Sequence, residues 1–325
     1  MKHNNIKTKN IYQSVKNIVL RCGNLKSKEK VLIIFDKTTE NLLKYFIKII
    51  KLKTTRIDIS QIPEAKNDGV EPPLKTKKKM MISDLIICLT RKSLAHTNAR
   101  QVANKLGAKY LSLADYSLKV LKNKATRVNF KNYFRDAEKL TKILNKGKFI
   151  KVSTKLGTNL KFYIKNRKAN FAPGICYKRG SLASPPDSEV NIAVIEDKSY
   201  GVAVIDGSVT TQKIGKLKSP IILKIEKGFI TDFKGKKGNV LKKIFLKNNK
   251  RARIIGEFGI GLNHKAKIIG NMLIDEGSRG TIHLGIGSNS TFGGRNKVNF
   301  HLDHVIKKPS VFIDDYKIID NGYIL

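Results

Sequence analysis

The chain contains no tryptophan, only three cysteines and few acidic residues: 25 Asp and Glu against 65 Lys and Arg, a formal net charge of +40. Each scarcity excludes something. Cys22, Cys88 and Cys176 are odd in number, far apart and form no C-x-x-C pair, so neither a disulfide framework nor a zinc knuckle is indicated. No apolar run approaches the roughly 20 residues of a membrane span. The basic N-terminal stretch MKHNNIKTKNIYQSVKNIVL lacks the apolar core and small-residue cleavage site of a signal peptide. The sequence therefore reads as cytoplasmic, with no membrane partner. No G-x-G-x-x-G follows the first apolar strand, which argues against a dinucleotide, and there are no internal repeats.

The basic excess would ordinarily suggest nucleic acid. It is almost all lysine, however, in a chain also rich in Ile and Asn, and the AT-rich codons of these three residues are a sufficient cause. Nucleic-acid sites concentrate arginine and aromatics. Here the lysines are spread along the chain, with KTKKK at 75–79 the one dense run. Solvated lysine faces, with no specific nucleic-acid partner, are expected.

The length of 325 residues and a hydrophobic share of 41% allow one large or two ordinary domains with a real core. VLIIF (31–35), DLIICL (84–89) and AKYLSL (108–113) are continuous apolar runs of the kind buried on both faces of a parallel sheet. TTRIDIS (54–60) reads as a further strand. NLLKYFIKIIKL and HTNARQVANKLG read as helices, and Pro63, Pro72 and Pro73 mark a loop. The order β-α-β-loop-β-α-β predicts a parallel doubly wound sheet over residues 1–127. From about Val128 to Lys146 runs a helical connector, after which the periodicity changes. A hairpin turning at Gly157-Thr158-Asn159, two strands around a Ser-Tyr-Gly turn in EVNIAVIEDKSYGVAVIDGSV, and a pair in SPIILKIEKGFITDFKG predict a mainly antiparallel α+β domain over 128–325.

The residues able to do chemistry gather in the Gly-rich block from Gly256 to Val305, which holds Glu257, Asp275, Glu276, His283, His301 and Asp303. Carboxylates and imidazoles are the ligand set of Zn²⁺, Mn²⁺, Co²⁺ and Fe²⁺. An unpaired buried carboxylate costs several kcal/mol, and a metal would neutralise it. In H-L-D, strand alternation puts His301 and Asp303 on one face and Leu302 on the other. Glycines flank Glu257 in G-E-F-G and leave room for close approach. His283 lies on the apolar run TIHLGIG. His304 has the opposite parity to His301, His264 sits in an exposed loop, and Asp314, Asp315 and Asp320 read as solvated residues of a C-terminal hairpin. Taken singly, each site residue has a bland reading as a solvated turn acid or a hydrogen-bonded strand histidine; the grouping is what points to metal.

The block from Gly256 to Val305, together with LTRKSLAHTNARQVANKLGAK and IEDKSYGVAVIDGSV preceded by PPDSEV, resembles the metallopeptidase family of aminopeptidase T and aminopeptidase S, over about Val31 to Leu325. The resemblance implies an N-terminal α/β domain, a C-terminal domain with a two-metal site, Zn²⁺ or Co²⁺ as the metals, and a homodimer. It places metal ligands at Glu257, Glu276, His283, His301 and Asp303, with Glu257 or Glu276 as general base. The peptidases carry a tyrosine shortly after the position of His283; here IGSNSTFGG has Ser288 and Ser290 and no tyrosine. A second branch of the same resemblance is 2,5-dihydroxypyridine dioxygenase, a non-haem iron ring-cleaving enzyme, in which His301 and Asp303 would supply two ligands of a 2-His-1-carboxylate triad. The retained Glu257 and Glu276 favour the hydrolase and the missing tyrosine the dioxygenase. The expectation is a metal-dependent aminopeptidase-like hydrolase acting on peptides. The alternatives are the iron dioxygenase, acting on a small molecule, and a basic binding protein in which the acids are structural.

Overall fold

The computed structural model describes residues 2–325, with side chains from Thr8 onward. The chain divides into two compact units, Met1–Lys131 with Gly174–Pro186, and Asn132–Pro173 with Asp187–Leu325.

In the first unit the continuous apolar runs become strands buried at every position: β1 (Val31–Phe35), β3 (Leu85–Leu89) and β4 (Lys109–Ser112). β2 (Ile57–Gln61) is partly exposed and lies at an edge. With β8 (Leu182–Ala183) they form a parallel sheet in the order β2-β1-β3-β4-β8. Parallel neighbours need crossovers, and helices α2 (Leu43–Ile50), α3 (Leu74–Met81) and α4 (Asn98–Lys105) lie in them. α4 starts at the Thr97 side chain, which accepts a hydrogen bond from the Arg100 N–H. The prolines at 63, 72 and 73 do precede irregular chain, but α3 begins directly after Pro73, so the segment expected as a loop holds a helix. Helices α1 (Lys2–Lys16) and α5 (Leu118–Lys122) complete this unit. Its core gathers Leu32, Ile34, Ile86, Met80, Ala99 and Tyr110.

The second unit carries two antiparallel sheets. One comprises β5 (Phe149–Ser153), β6 (Asn159–Tyr163), β10 (Ser199–Ile205), β13 (Ile221–Glu226), β14 (Phe229–Lys234), β18 (Ser310–Ile313), β19 (Tyr316–Asp320) and β20 (Tyr323–Ile324), in the order β14-β13-β10-β6-β5-β18-β19-β20. The other comprises β7 (Asn170–Ala172), β9 (Glu189–Ala193), β11 (Ser208–Val209), β12 (Gly215–Lys216), β15 (Ile255–Gly261), β16 (Thr281–Gly287) and β17 (His301–Lys307), in the order β12-β11-β17-β16-β15-β9-β7. The sheets meet through apolar side chains; Phe162 of β6 and Phe258 of β15 pack with ring centroids 6.0 Å apart. Helices α6 (Phe134–Lys146), α7 (Gly238–Leu246) and α8 (Met272–Asp275) belong to this unit. The hairpin expected at residues 157–159 is β5–β6. The turn expected at Ser-Tyr-Gly is corrected: Ser199 and Tyr200 lie in β10, and the reversal falls at Glu196-Asp197. There the chain changes sheets, the Ile195 N–H donating to the Tyr163 carbonyl, so β9 and β10 are not partners. The mixed α/β architecture, parallel sheet first and antiparallel sheets after, is as expected.

Candidate metal centre

The site is one face of the four strands β9, β15, β16 and β17. Alternation sends Val190, Ile192, Phe258, Ile260, Ile282, Leu284, Ile286, Leu302 and Ile306 to the apolar face, all buried. The opposite face carries Glu189, Glu257, His283, His301 and Asp303. A bulge in β15 sets this up. Ile255 pairs with Ile286 and Glu257 with Gly285, so Gly256 is the extra residue that lets Ile255 face the core and Glu257 the site. Pairing then aligns Glu257 with Gly285, and Gly285 with Asp303.

Glycine opposite the functional side chains is a space requirement. A Cβ on Gly285 would lie 2.6 Å from His301 Cε1 and 2.7 Å from Glu257 Oε2. A Cβ on Gly259 would lie 2.1 Å from the His283 ring. The long side chains lie across the sheet over these glycines, which explains the G-E-F-G-I-G and H-L-G-I-G patterns.

His301 Nε2 is 3.2 Å from Glu257 Oε2 and 3.0 Å from Asp303 Oδ1. Its Nδ1 is 2.8 Å from the Ser288 carbonyl, so Nδ1 carries a proton and Nε2 faces the carboxylates. His283 Nε2 is 3.2 Å from Glu189 Oε2 and 3.9 Å from Glu257 Oε1. Glu257 thus presents one oxygen to each imidazole. The other oxygen of Glu189 accepts from the Asn191 amide. Three overlapping trios of ligand atoms each fit within 4.8 Å: Glu257, His301 and Asp303; Glu189, Glu257 and His283; and Asp187, Glu189 and Glu276. Only His301 is open to solvent, its side chain 31% exposed while Asp303 is 5% exposed. Phe292 meets the His301 ring edge-on at 6.0 Å.

Of the expected residues, Glu257, His283, His301 and Asp303 converge on this face. Glu276 joins them from the turn after α8, in the trio with Asp187 and Glu189. Asp275, beside it, does not: its carboxylate accepts from the Ile269 and Gly270 N–H groups and ties a loop. His304 faces away, stacked on Phe245 of α7. His264 is exposed and pairs with the Tyr133 hydroxyl at 2.9 Å. Asp314 is not a merely solvated acid, since it accepts from the N–H groups of Lys148 and Phe149. Sequence reasoning missed Asp187 and Glu189, although PPDSEV shows two acids two residues apart at the entry to a buried strand, which is a one-face signal.

Crowded charge sets the electrostatics. Burial pushes Asp187 and Glu276 well above the usual carboxylate range, and the neighbouring acids Glu189 and Asp303, respectively, add to the push. Burial also pushes Glu189 up to about 7, against the pull of His283. Burial alone would lower His283, but Glu189 and Glu257 raise it to about 10; His301 is likewise raised, by Asp303 and Glu257. Against burial, hydrogen bonds from the two imidazoles hold Glu257 below its ordinary value, and His301 does the same for Asp303. Two imidazolium ions thus stand among five buried acids, where a divalent first-row cation would serve the same electrostatic purpose. The mixed nitrogen and oxygen donors fit such an ion.

A 2,5-dihydroxypyridine dioxygenase from Pseudomonas putida KT2440 is similar in fold, with a TM-score of 0.84 at 18% identity over 97% of this chain and 96% of the other. Wild-type AmpT from Thermus thermophilus is also similar, with a TM-score of 0.73 at 12% identity over 98% and 99% of the two chains. At such identities both likenesses speak for the fold. A search of curated proteins finds no match. The family model that matches is the one described as NicX, 2,5-dihydroxypyridine 5,6-dioxygenase, and it runs over residues 12–325. That match overturns the expectation of an aminopeptidase, a hydrolase or a protease: the peptidase likeness reflects a shared fold, and the zinc or cobalt expectation falls with it. The chain belongs to the 2,5-dihydroxypyridine 5,6-dioxygenase family of enzymes.

Proposed function

We propose that the protein is an iron-dependent ring-cleaving dioxygenase acting on a dihydroxylated pyridine or a closely related hydroxylated heteroaromatic. The observation that carries this reading, beside the family match, is the trio Glu257, His301 and Asp303, buried except on the His301 side. Ferrous iron would be held by these three, a set with one imidazole and two carboxylates in place of the 2-His-1-carboxylate triad that the resemblance to the dioxygenase implies. Bound there, iron would supply the one-electron exchange without which triplet O₂ does not react with a closed-shell ring.

The chain's own residues do the rest. The Ser288 carbonyl fixes the His301 tautomer and keeps Nε2 toward Glu257 and Asp303. Thr210 steadies the Asp303 backbone on both sides, its N–H donating to the Asp303 carbonyl and its hydroxyl accepting the Asp303 N–H. The apolar face beneath the site excludes water and raises the strength of each charge interaction. His283 holds its Nε2 proton between Glu189 and Glu257 and keeps Glu257 charged. A flat ring entering on the His301 side would meet the Phe292 ring.

The test is oxygen uptake by the full chain reconstituted anaerobically with Fe²⁺ and then given 2,5-dihydroxypyridine in aerated buffer. Uptake of one O₂ per substrate consumed, abolished without iron, is the expected result. Iron-loaded protein that consumes neither O₂ nor substrate would refute the substrate class.

A further inference from the structure

The trio Asp187, Glu189 and Glu276 is not needed to hold iron, yet it is built as a ligand set. Asp187 precedes β9, Glu189 is the first residue of β9, and Glu276 follows α8. One oxygen from each lies within 4.8 Å of the others. Their exposures are 7%, 6% and 9%. Asp187 Oδ1 and Glu276 Oε1 accept no hydrogen bond from any described residue. A buried carboxylate oxygen left without a donor costs several kcal/mol. The backbone gives way for these acids: a Cβ on Gly277 would lie 2.8 Å from Asp187 Oδ1.

We propose that Asp187, Glu189 and Glu276 form a second divalent-cation site beside the Glu257–His301–Asp303 trio. A cation held between them would give Asp187 Oδ1 and Glu276 Oε1 the partner they lack. The trio is all oxygen, so it suits a hard cation such as Mn²⁺ or Mg²⁺, whereas the first trio has an imidazole and suits iron. Glu189 links the two, since its Oε2 also lies 3.2 Å from His283 Nε2. A cation there fixes Glu189 and, through it, the His283 ring that faces Glu257. The site is independent of the reaction catalysed.

The test uses the full chain, stripped with chelator and loaded with one equivalent of Zn²⁺, which goes first to the imidazole-bearing trios. Mn²⁺ is then titrated and the free ion followed by electron paramagnetic resonance. One Mn²⁺ bound per chain is expected, with affinity at least about tenfold lower in Asp187→Asn and in Glu276→Gln, while zinc content in Asp187→Asn and circular dichroism in both stay unchanged. Wild-type protein that binds no Mn²⁺ would overturn the site and show that the acids hold protons instead. So would equal Mn²⁺ binding in the variants, which would place the ion elsewhere. If either variant fails to fold, the melting temperature of the zinc-loaded wild type decides: it should rise with saturating Mn²⁺, and no rise overturns the proposal.

Discussion

At the scale of single residues, Asp303 shows why charge rather than shape is the requirement. Its Oδ1 sits 3.0 Å from His301 Nε2, and its carboxylate is held low by that imidazole. Asp303→Asn keeps the volume and removes the charge. Iron content per chain, by elemental analysis, should fall at least about tenfold at unchanged circular dichroism; full iron content in the variant would remove Asp303 from the ligand set. Gly285 tests space rather than charge. Gly285→Ala places a methyl 2.7 Å from Glu257 Oε2. It should cost about 1–3 kcal/mol of stability through overpacking, read from urea unfolding, and should lower iron content by displacing Glu257. The H-x-D pair and the glycine-flanked Glu257 were legible because alternation and the absent Cβ are written in the sequence. Asp187 and Glu189 were not, because an acid at a strand entry reads by itself as a solvated turn residue. Only the pairing of β9 with β15, which lies 62 residues or more away, brings them to the site.

At the scale of elements, the segment between β16 and β17 depends on one half-buried acid, Glu196. Glu196 Oε2 pairs with Arg167 at 2.7 Å, while Oε1 accepts from Asn289 at 3.0 Å and from the Arg295 N–H at 2.5 Å. Asn289 and Asn296 extend this network to the carbonyls of Gly256 and Gly287. The same segment carries Ser288 to His301 and Phe292 to its ring. Burial pushes Glu196 up, but the donors outweigh it and hold the carboxyl below its ordinary value. A carboxyl lowered in the folded state stays ionised there while the unfolded chain takes up its proton. Its stabilisation is therefore present above the unfolded value of about 4.3 and is lost as pH falls below it. Glu196→Gln should cost about 2 kcal/mol at pH 7, the scale of hydrogen bonds to a charged group. The gap between variant and wild type should narrow as pH drops below about 4. Thermal melts at several pH values check this, and a gap constant down to pH 3 would contradict it. No sequence pattern announced this network, since Arg167, Glu196, Asn289 and Asn296 are far apart along the chain. The buried strands β1 and β3, by contrast, were legible from five consecutive apolar residues each. β8 is too short for any periodicity.

At the scale of the whole molecule, the dominant property is charge: 65 basic residues against 25 acidic. Five of those acids are committed to the metal-centre face, which leaves the rest of the chain more basic still. Among the described residues no helix is long and apolar enough to cross a membrane. Duplex DNA should bind weakly through scattered lysines and should be released by about 200 mM salt, because such binding rests on counterion release; filter binding across a salt series reads this, and sequence-specific retention at that salt would contradict it. The chain path adds a constraint, for Gly174–Pro186 belongs with the N-terminal unit and supplies β8 to its parallel sheet. The fate of dioxygen at the Glu257–His301–Asp303 trio is read by mass spectrometry of the product formed by the iron-loaded chain from 2,5-dihydroxypyridine under ¹⁸O₂. A ring-opened product carrying both ¹⁸O atoms is the predicted result. A product with no label from O₂, or with the ring intact, would contradict the account.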